Sequence, residues 1–180
     1  NNNSRKVLKE IKEDMDFKIF VSYSSHDLKQ VYLLKQQLEN TPLTVFVAEH
    51  SIMPGQELEP TISKAVDECD LFIVLWSKNA KDSDWVSQEI GHARALKKEI
   101  LPLVLTEGMS LPGFINNLKY LPVYEETQKA LSVAREIAVS AYNKKLQTNR
   151  QLEEDRQKQK ARELVFIGIG VFMFWAFSQK

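Results

Sequence analysis

The residues in this chain best suited to chemistry are Trp85 and Glu89, which lie in a helix-length stretch at 82–98. The stretch begins with residues that can cap a helix and ends with basic ones, as helix ends require. At about 100° per residue, Glu89 lies ~40° from Trp85, inside the predicted apolar stripe of the helix. The other members of the stripe are Val86, Ile90, Ala93 and Leu96. A carboxyl group inside such a stripe must face a cleft, a partner or a low-dielectric wall, so Glu89 is a candidate functional residue.

Each of these residues also has an ordinary interpretation. Trp85 alone is typical of a core residue, and Glu89 alone is typical of a surface acid paired with Arg94 or Lys98. The place of Glu89 in the stripe, and the motifs elsewhere in the chain, favour a functional glutamate. A serine-hydrolase site at 22–26 (SYSSH) is disfavoured, because the chain has no Gly-x-Ser-x-Gly turn and adjacent residues cannot supply triad geometry.

Alternating strand and helix patterns surround this stretch and must position it. The predicted strands span 17–23, 43–48, 71–77 and 100–105, with a short one at 120–123; the predicted helices span 28–39, 57–68 and 82–98, with a long one from Glu125 onward. This alternation indicates an α/β fold with a parallel sheet covered on both sides. Ligands of such sheets lie beyond the carboxyl ends of the strands. Residues 22–27, 50–55 and the start of the 82–98 helix are expected to converge there.

The composition disfavours several classes of function. The 180 residues carry 24 basic and 24 acidic side chains, so no net field attracts nucleic acid. The three histidines, His26, His50 and His92, have no Cys or His neighbours at metal-ligand spacing, so we expect no metal site and three ordinary polar residues. The single cysteine, Cys69, excludes an internal disulfide and suits a small buried position.

Four segments, in this order, resemble TIR (Toll/interleukin-1 receptor) domains of the prokaryotic type. They are FKIFVSYSSHD at 17–27, VFVA at 45–48 leading to Met53-Pro54-Gly55, LFIVLWS at 71–77, and WVSQE at 85–89. Each motif is weak alone, but four in the right order are specific, and the resemblance covers about residues 17–141. It implies a flavodoxin-like parallel sheet (the TIR fold) and a mobile BB loop at 48–56. The chain departs from the family where an acidic or arginine pair often precedes Pro-Gly, because it has His50-Ser51-Ile52-Met53 there.

The resemblance also implies an activity, since Glu89 stands where the NAD-cleaving members have their catalytic glutamate. Those members hydrolyse or cyclise NAD+ and release nicotinamide, in signalling or antiviral defence. Cleavage develops positive charge on the ribose, which a nearby carboxylate stabilises. Nicotinamide leaves as a neutral molecule, so one carboxylate can suffice. The chain lacks a Gly-x-Gly-x-x-Gly cradle, so NAD+ is expected as a substrate and no cofactor is expected.

The resemblance further suggests which residues surround Glu89. Trp85 is expected to wall the site or stack on a ring, and the residues expected to line its other side are Phe20, Ser22, Tyr23 and Ser24. The BB loop is expected to gate the crevice and to join neighbouring copies, through His50, Ser51, Met53, Pro54 and Gly55. The alternative function is a non-catalytic TIR interaction module that recruits other TIR domains at a membrane.

The composition changes twice beyond the predicted domain. The expected division is a leader at 1–16, the TIR domain at 17–142, a charged helical linker at 143–163 and a hydrophobic helix at 164–177. The last segment, from Leu164 to Phe177, has no polar side chain. It is shorter than the ~20 residues that span a bilayer, so either the natural segment continues beyond Lys180, or it spans a thinned membrane or assembles with copies of itself. The basic residues before it favour a membrane anchor with the domain facing the cytoplasm.

Overall fold

The computed structural model describes residues 16–47 and 59–178, with side chains at 16–47 and 60–163. The strands are β1 (Phe17–Ser22), β2 (Leu43–Val47), β3 (Leu71–Trp76), β4 (Glu99–Val104) and β5 (Leu121–Pro122). The α-helices are α1 (Leu28–Leu38), α2 (Glu59–Glu68), α3 (Lys78–Lys81), α4 (Asp84–Ala95) and α5 (Thr127–Ser178), and a 3-10 turn at Ser25–Asp27 precedes α1. The predicted leader up to residue 15 and the predicted BB loop at 48–56 lie outside the described residues.

The five strands form one parallel sheet in the order β2-β1-β3-β4-β5. This confirms the predicted flavodoxin-like α/β fold with a long C-terminal helix. In this order, successive connections leave β1 and β3 toward opposite edges of the sheet, which opens a crevice at their carboxyl ends. Ser22 and Val74 are paired in register at that point.

Strand β1 shows why the two faces of the sheet differ. Phe17, Ile19 and Val21 join the apolar cluster that α1 and α5 cover, whereas Phe20 joins the cluster that α2 and α4 cover. Because successive side chains point to opposite faces of a strand, Ser22 follows Phe20 onto the α2 and α4 side. Because both faces of the sheet are buried at β1 and β3, the sequences of these two strands are almost continuously apolar.

Helix α4 begins at Asp84, two residues after the start of the predicted helix, because the Ser83 hydroxyl accepts a hydrogen bond from the Val86 backbone N–H at 3.4 Å. Its buried residues are Val86, Glu89, Ile90 and Ala93. Trp85 and Leu96 are 37% and 44% exposed, so the expected centre of the apolar stripe was wrong. Glu89 therefore lies at the rim of the buried stripe and not in its middle.

The chain divides into two compact units, Asn1–Tyr142 and Asn143–Lys180. Residues 164–177 lie within the bounds of α5. No helix in the described part of the chain combines the length and hydropathy needed to cross a bilayer.

Candidate active site

Glu89 is held at the carboxyl end of β1 by a short hydrogen bond from Ser22. The Ser22 hydroxyl donates a hydrogen bond to Glu89 Oε2 at 2.5 Å. Ser22 is fully buried and Glu89 is 4% exposed, so both groups are shielded from bulk water. The two residues are 67 positions apart in the sequence, and only the packing of α4 against β1 joins them.

Burial raises the pKa of Glu89 from 4.5 to about 7, because removal from water penalises the charged carboxylate. The hydrogen bond from Ser22 acts in the opposite direction and favours the charged form. Glu89 therefore changes its charge near neutral pH. An acid balanced between its two forms in this way is typical of functional sites.

Glu89 opens onto a cleft between two helices. Its walls are Ile62, Ser63 and Val66 from α2, and Trp85, Gln88, Glu89 and His92 from α4, and they enclose about 190 Å³. The residues from α4 share one face of the helix, since side chains three and four positions apart are neighbours. The wall from α2 is therefore mostly apolar, with Ser63 as its polar residue, whereas the wall from α4 carries the carboxyl group and an imidazole.

A second, more polar cavity of about 340 Å³ adjoins the first and shares Trp85 with it. Its other lining residues are Ser24, Ser25, His26, Asn79, Asp82 and Ser83. Trp85 thus lies between the Glu89 cleft and the polar cavity, and the residue is 37% exposed. An elongated ligand could occupy both cavities and stack on this ring.

A second buried acid, Asp27, supports the loops around the polar cavity. Its Oδ2 accepts a hydrogen bond from the Ser77 hydroxyl at 2.5 Å, and its Oδ1 accepts one from the Asn79 side-chain amide at 3.3 Å. Ser77 in turn accepts a hydrogen bond from the backbone N–H of Ala80 at 3.0 Å and caps α3. This network ties the turn after β1 to the turn after β3. No local sequence pattern predicts this network, because the partners lie 50 and 52 positions apart.

The structure separates the residues that were predicted to line the substrate site. Ser24 and Trp85 line the polar cavity, and Trp85 also lines the Glu89 cleft. Ser22 is fully buried and lines neither cavity, but it contacts Glu89 through its hydrogen bond. Phe20 is fully buried and stacks between Phe46 and Phe72 with ring centroids 5.5 and 5.3 Å away, so it supports the sheet under the cleft. Its role in substrate binding stays a prediction.

Tyr23 is 3% exposed and belongs to the core on the opposite face of the sheet. Alternation along β1 accounts for this, since Tyr23 follows Ser22. The side chains that the sequence analysis did not assign to the cleft are Ile62, Ser63, Val66, Gln88 and His92. The predicted loop residues His50, Ser51, Met53, Pro54 and Gly55 lie outside the described residues.

In the described part of the chain, no group of three or more His, Cys, Asp or Glu side chains could hold a metal ion. The cleft presents the carboxyl group of Glu89. A carboxylate at the switch point of a parallel sheet can stabilise a positive charge that develops on a bound ligand.

The fold and the cleft define a flavodoxin-like α/β domain with its site at the β1/β3 crevice. A family model described as the TIR domain matches residues 19–136, and the chain belongs to that family. The TIR domain of the Toll-related receptor TRR-2 from Hydra magnipapillata has the same fold, with a TM-score of 0.55 at 20% identity over 66% of this chain and 94% of that one.

Two plant proteins match about half of the chain. One is the disease resistance protein RML1A of Arabidopsis thaliana, 27% identical over 92 residues, which are 50% of this chain and 9% of that protein. The other carries the name probable 2′ cyclic ADP-D-ribose synthase BdTIR, from Brachypodium distachyon, and is 27% identical over 89 residues, 48% of this chain and 40% of that protein. The chain therefore spans less than half the length of either relative.

Proposed function

We propose that this protein cleaves the bond between nicotinamide and ribose in NAD+ and releases nicotinamide together with ADP-ribose or a cyclic form of it. The observation that carries the proposal is the position of Glu89, buried at the carboxyl end of β1 and facing an open cleft. The name of the Brachypodium relative supports the class of product. The name of the Arabidopsis relative supports a role in immune signalling.

The reaction needs stabilisation of a cation more than it needs proton transfer to the leaving group. As the bond from C1′ to the nicotinamide nitrogen breaks, the electron pair leaves with the ring, and nicotinamide becomes neutral. The ribose is left with positive charge shared between C1′ and the ring oxygen. A carboxylate fixed beside the ribose interacts more strongly with this charge in the transition state than in the ground state, as in glycosidases.

Glu89 must be ionised to act in this way, and the substrate itself favours ionisation. The nicotinamide ring of NAD+ carries a positive charge, and a cation beside a buried carboxyl group lowers its pKa. Ser22 adds to this effect because its hydroxyl donates to the charged form. The burial that raises the pKa in the free protein also strengthens the attraction to the developing cation.

The predicted BB loop supplies the proposed link to assembly. We infer that copies of the domain associate through residues 48–56 and that association completes the site. Activity should therefore rise more than linearly with protein concentration.

The test is to incubate the full chain with NAD+ over a range of protein concentrations and to follow nicotinamide release by chromatography. Glu89→Gln should lower the rate by on the order of 10² to 10³, the usual cost of removing one preorganised electrostatic group. The matched control is Glu136→Gln on α5, which changes an exposed acid by the same atoms and should leave the rate unchanged. Absence of nicotinamide release by the parent protein at every concentration would refute the proposal and favour the interaction module.

A further inference from the structure

The Glu89 cleft contains a second group with a possible chemical role, His92. The imidazole lies one turn after Glu89 on α4 and lines the same cleft. Its Nε2 is 2.9 Å from Oδ1 of Asp67, which lies on α2 across the cleft. The side chain of His92 is 35% exposed, so water can reach it.

This pairing fixes which ring nitrogen can accept a proton. A carboxylate oxygen can only accept a hydrogen bond, so Nε2 of His92 carries the hydrogen that points at Asp67. In the neutral ring, Nδ1 is then the acceptor nitrogen. A carboxylate that orients an imidazole in this way also stabilises the charge that forms when the ring takes up a proton. The pair has the parts of a general base and its orienting group.

We propose that His92 is the general base that removes a proton from the water that captures the ribosyl cation, with Asp67 as its positioning residue. The inference rests on the proposed function and names the group that completes the same reaction. After nicotinamide has left, the water oxygen bonds to C1′, and one of its protons passes to Nδ1 of His92. That proton then leaves to solvent, so the balance is NAD+ and water giving ADP-ribose, nicotinamide and a proton.

The other residues of the cleft are consistent with separate roles for Glu89 and His92. Glu89 stabilises the cation and is bound by Ser22, and its carboxylate is needed while the cation exists. Ile62 and Val66 are apolar and cannot take a proton. Among the side chains that line the cleft in the described residues, His92 is the only other one with a basic atom that can accept a proton.

The experiment separates capture by water from formation of the cation. Free nicotinamide can recapture the cation through its ring nitrogen, which has a lone pair and no proton to lose. Exchange of labelled nicotinamide into NAD+ therefore reports cation formation, whereas release of ADP-ribose reports capture by water. Both rates are measured in one reaction, and their ratio shows which step a variant has changed.

His92→Gln is the informative variant, because its side-chain amide can still donate to Asp67 but cannot take up a proton. The ratio of exchange to hydrolysis should rise by about 10²-fold, the low end for general base catalysis. Asp67→Asn should shift the ratio in the same direction by less. The control is Lys64→Gln, which removes a different side-chain contact of α2, the ion pair between Lys64 and Glu68 at 3.8 Å, and should leave the ratio unchanged.

Each outcome has a distinct meaning. If exchange and hydrolysis fall together in His92→Gln, so that their ratio stays that of the parent, His92 only supports the helix pair and the inference is overturned. If the ratio rises in the Lys64 variant as well, loss of any polar side-chain contact of α2 is enough, and the inference is again overturned. If the parent shows neither exchange nor hydrolysis, the proposed function fails and this inference fails with it.

Discussion

Replacing Glu89 with glutamine is expected to make the protein more stable at alkaline pH while it removes the proposed activity. The carboxyl group is 4% exposed and its pKa is raised to about 7 by burial. In the unfolded chain the same group has its ordinary pKa of 4.5. Between these two values the folded protein binds a proton that the unfolded chain has lost, so stability falls as pH rises.

The magnitude follows from the difference between the two pKa values. The stabilising contribution of protonated Glu89 is fully present below pH 4.5 and is lost as the pH rises through about 7. At about 1.4 kcal/mol per pKa unit, the loss reaches about 3 kcal/mol at pH 8. Glutamine has nearly the same shape and stays neutral, so the variant avoids this loss. For a domain of this size, that corresponds to roughly 6 to 12 °C in Tm.

The assay is urea unfolding of the parent and of Glu89→Gln at pH 5 and pH 8. Comparing the two pH values cancels every effect of the amide that does not depend on protonation. The gain in unfolding free energy should be larger at pH 8 by about 2 to 3 kcal/mol. The control Glu136→Gln should show no such difference, because its side chain is exposed. An equal gain at both pH values would refute the reasoning, since it would mean that Glu89 does not titrate near neutral pH.

Three further predictions concern the activity. The kcat/KM of the parent protein should rise with pH through about 7, as Glu89 of the free protein becomes charged. Ser22→Ala should move the midpoint of this pH-rate profile upward, because it removes a hydrogen bond that favours the charged form of Glu89. Trp85→Ala should lower kcat/KM about tenfold with little loss of stability, and Trp85→Phe should restore part of the rate, because the ring is partly exposed between the two cavities; steady-state kinetics and thermal melts check this. Pro54→Ala or Gly55→Trp should weaken the rise of specific activity with protein concentration, and strict proportionality of the parent rate to concentration, without association by light scattering, would contradict assembly through the loop.

Much of the fold could be predicted from the sequence because its signals are local. Each strand and each helix shows its own apolar pattern within its own residues. The order of the strands and helices along the chain then restricts the possible topologies. The short helix α3 was missed, because its four residues are too few to show a helical period. Its start depends on the Ser77 cap, which is a feature of single side chains.

The site was harder to predict because its contacts join distant parts of the chain. Glu89 could be singled out from its own helix, and its hydrogen bond with Ser22 could not. The apolar wall of the cleft comes from α2, whose residues give only the signal of an ordinary amphipathic helix. The position of Tyr23, in contrast, could have been predicted from the sequence, because alternation continued from β1 places it and Ser22 on opposite faces of the sheet.

The cost of holding Glu89 in the folded protein explains why it lies at the rim of a buried stripe. Burying the charged carboxyl group costs about 3 kcal/mol at alkaline pH, which is a large part of the stability of a domain. Val86 and Ile90 are fully buried on the same helix, and each contributes about 1.5 to 3 kcal/mol. Together they offset the cost and hold α4 in place. A position deeper in the stripe would shut the carboxyl group away from the cleft, and an exposed one would let water screen it. The rim therefore combines a low-dielectric wall behind the carboxylate with an open path to a substrate, because α4 is anchored by its apolar residues and not by the acid.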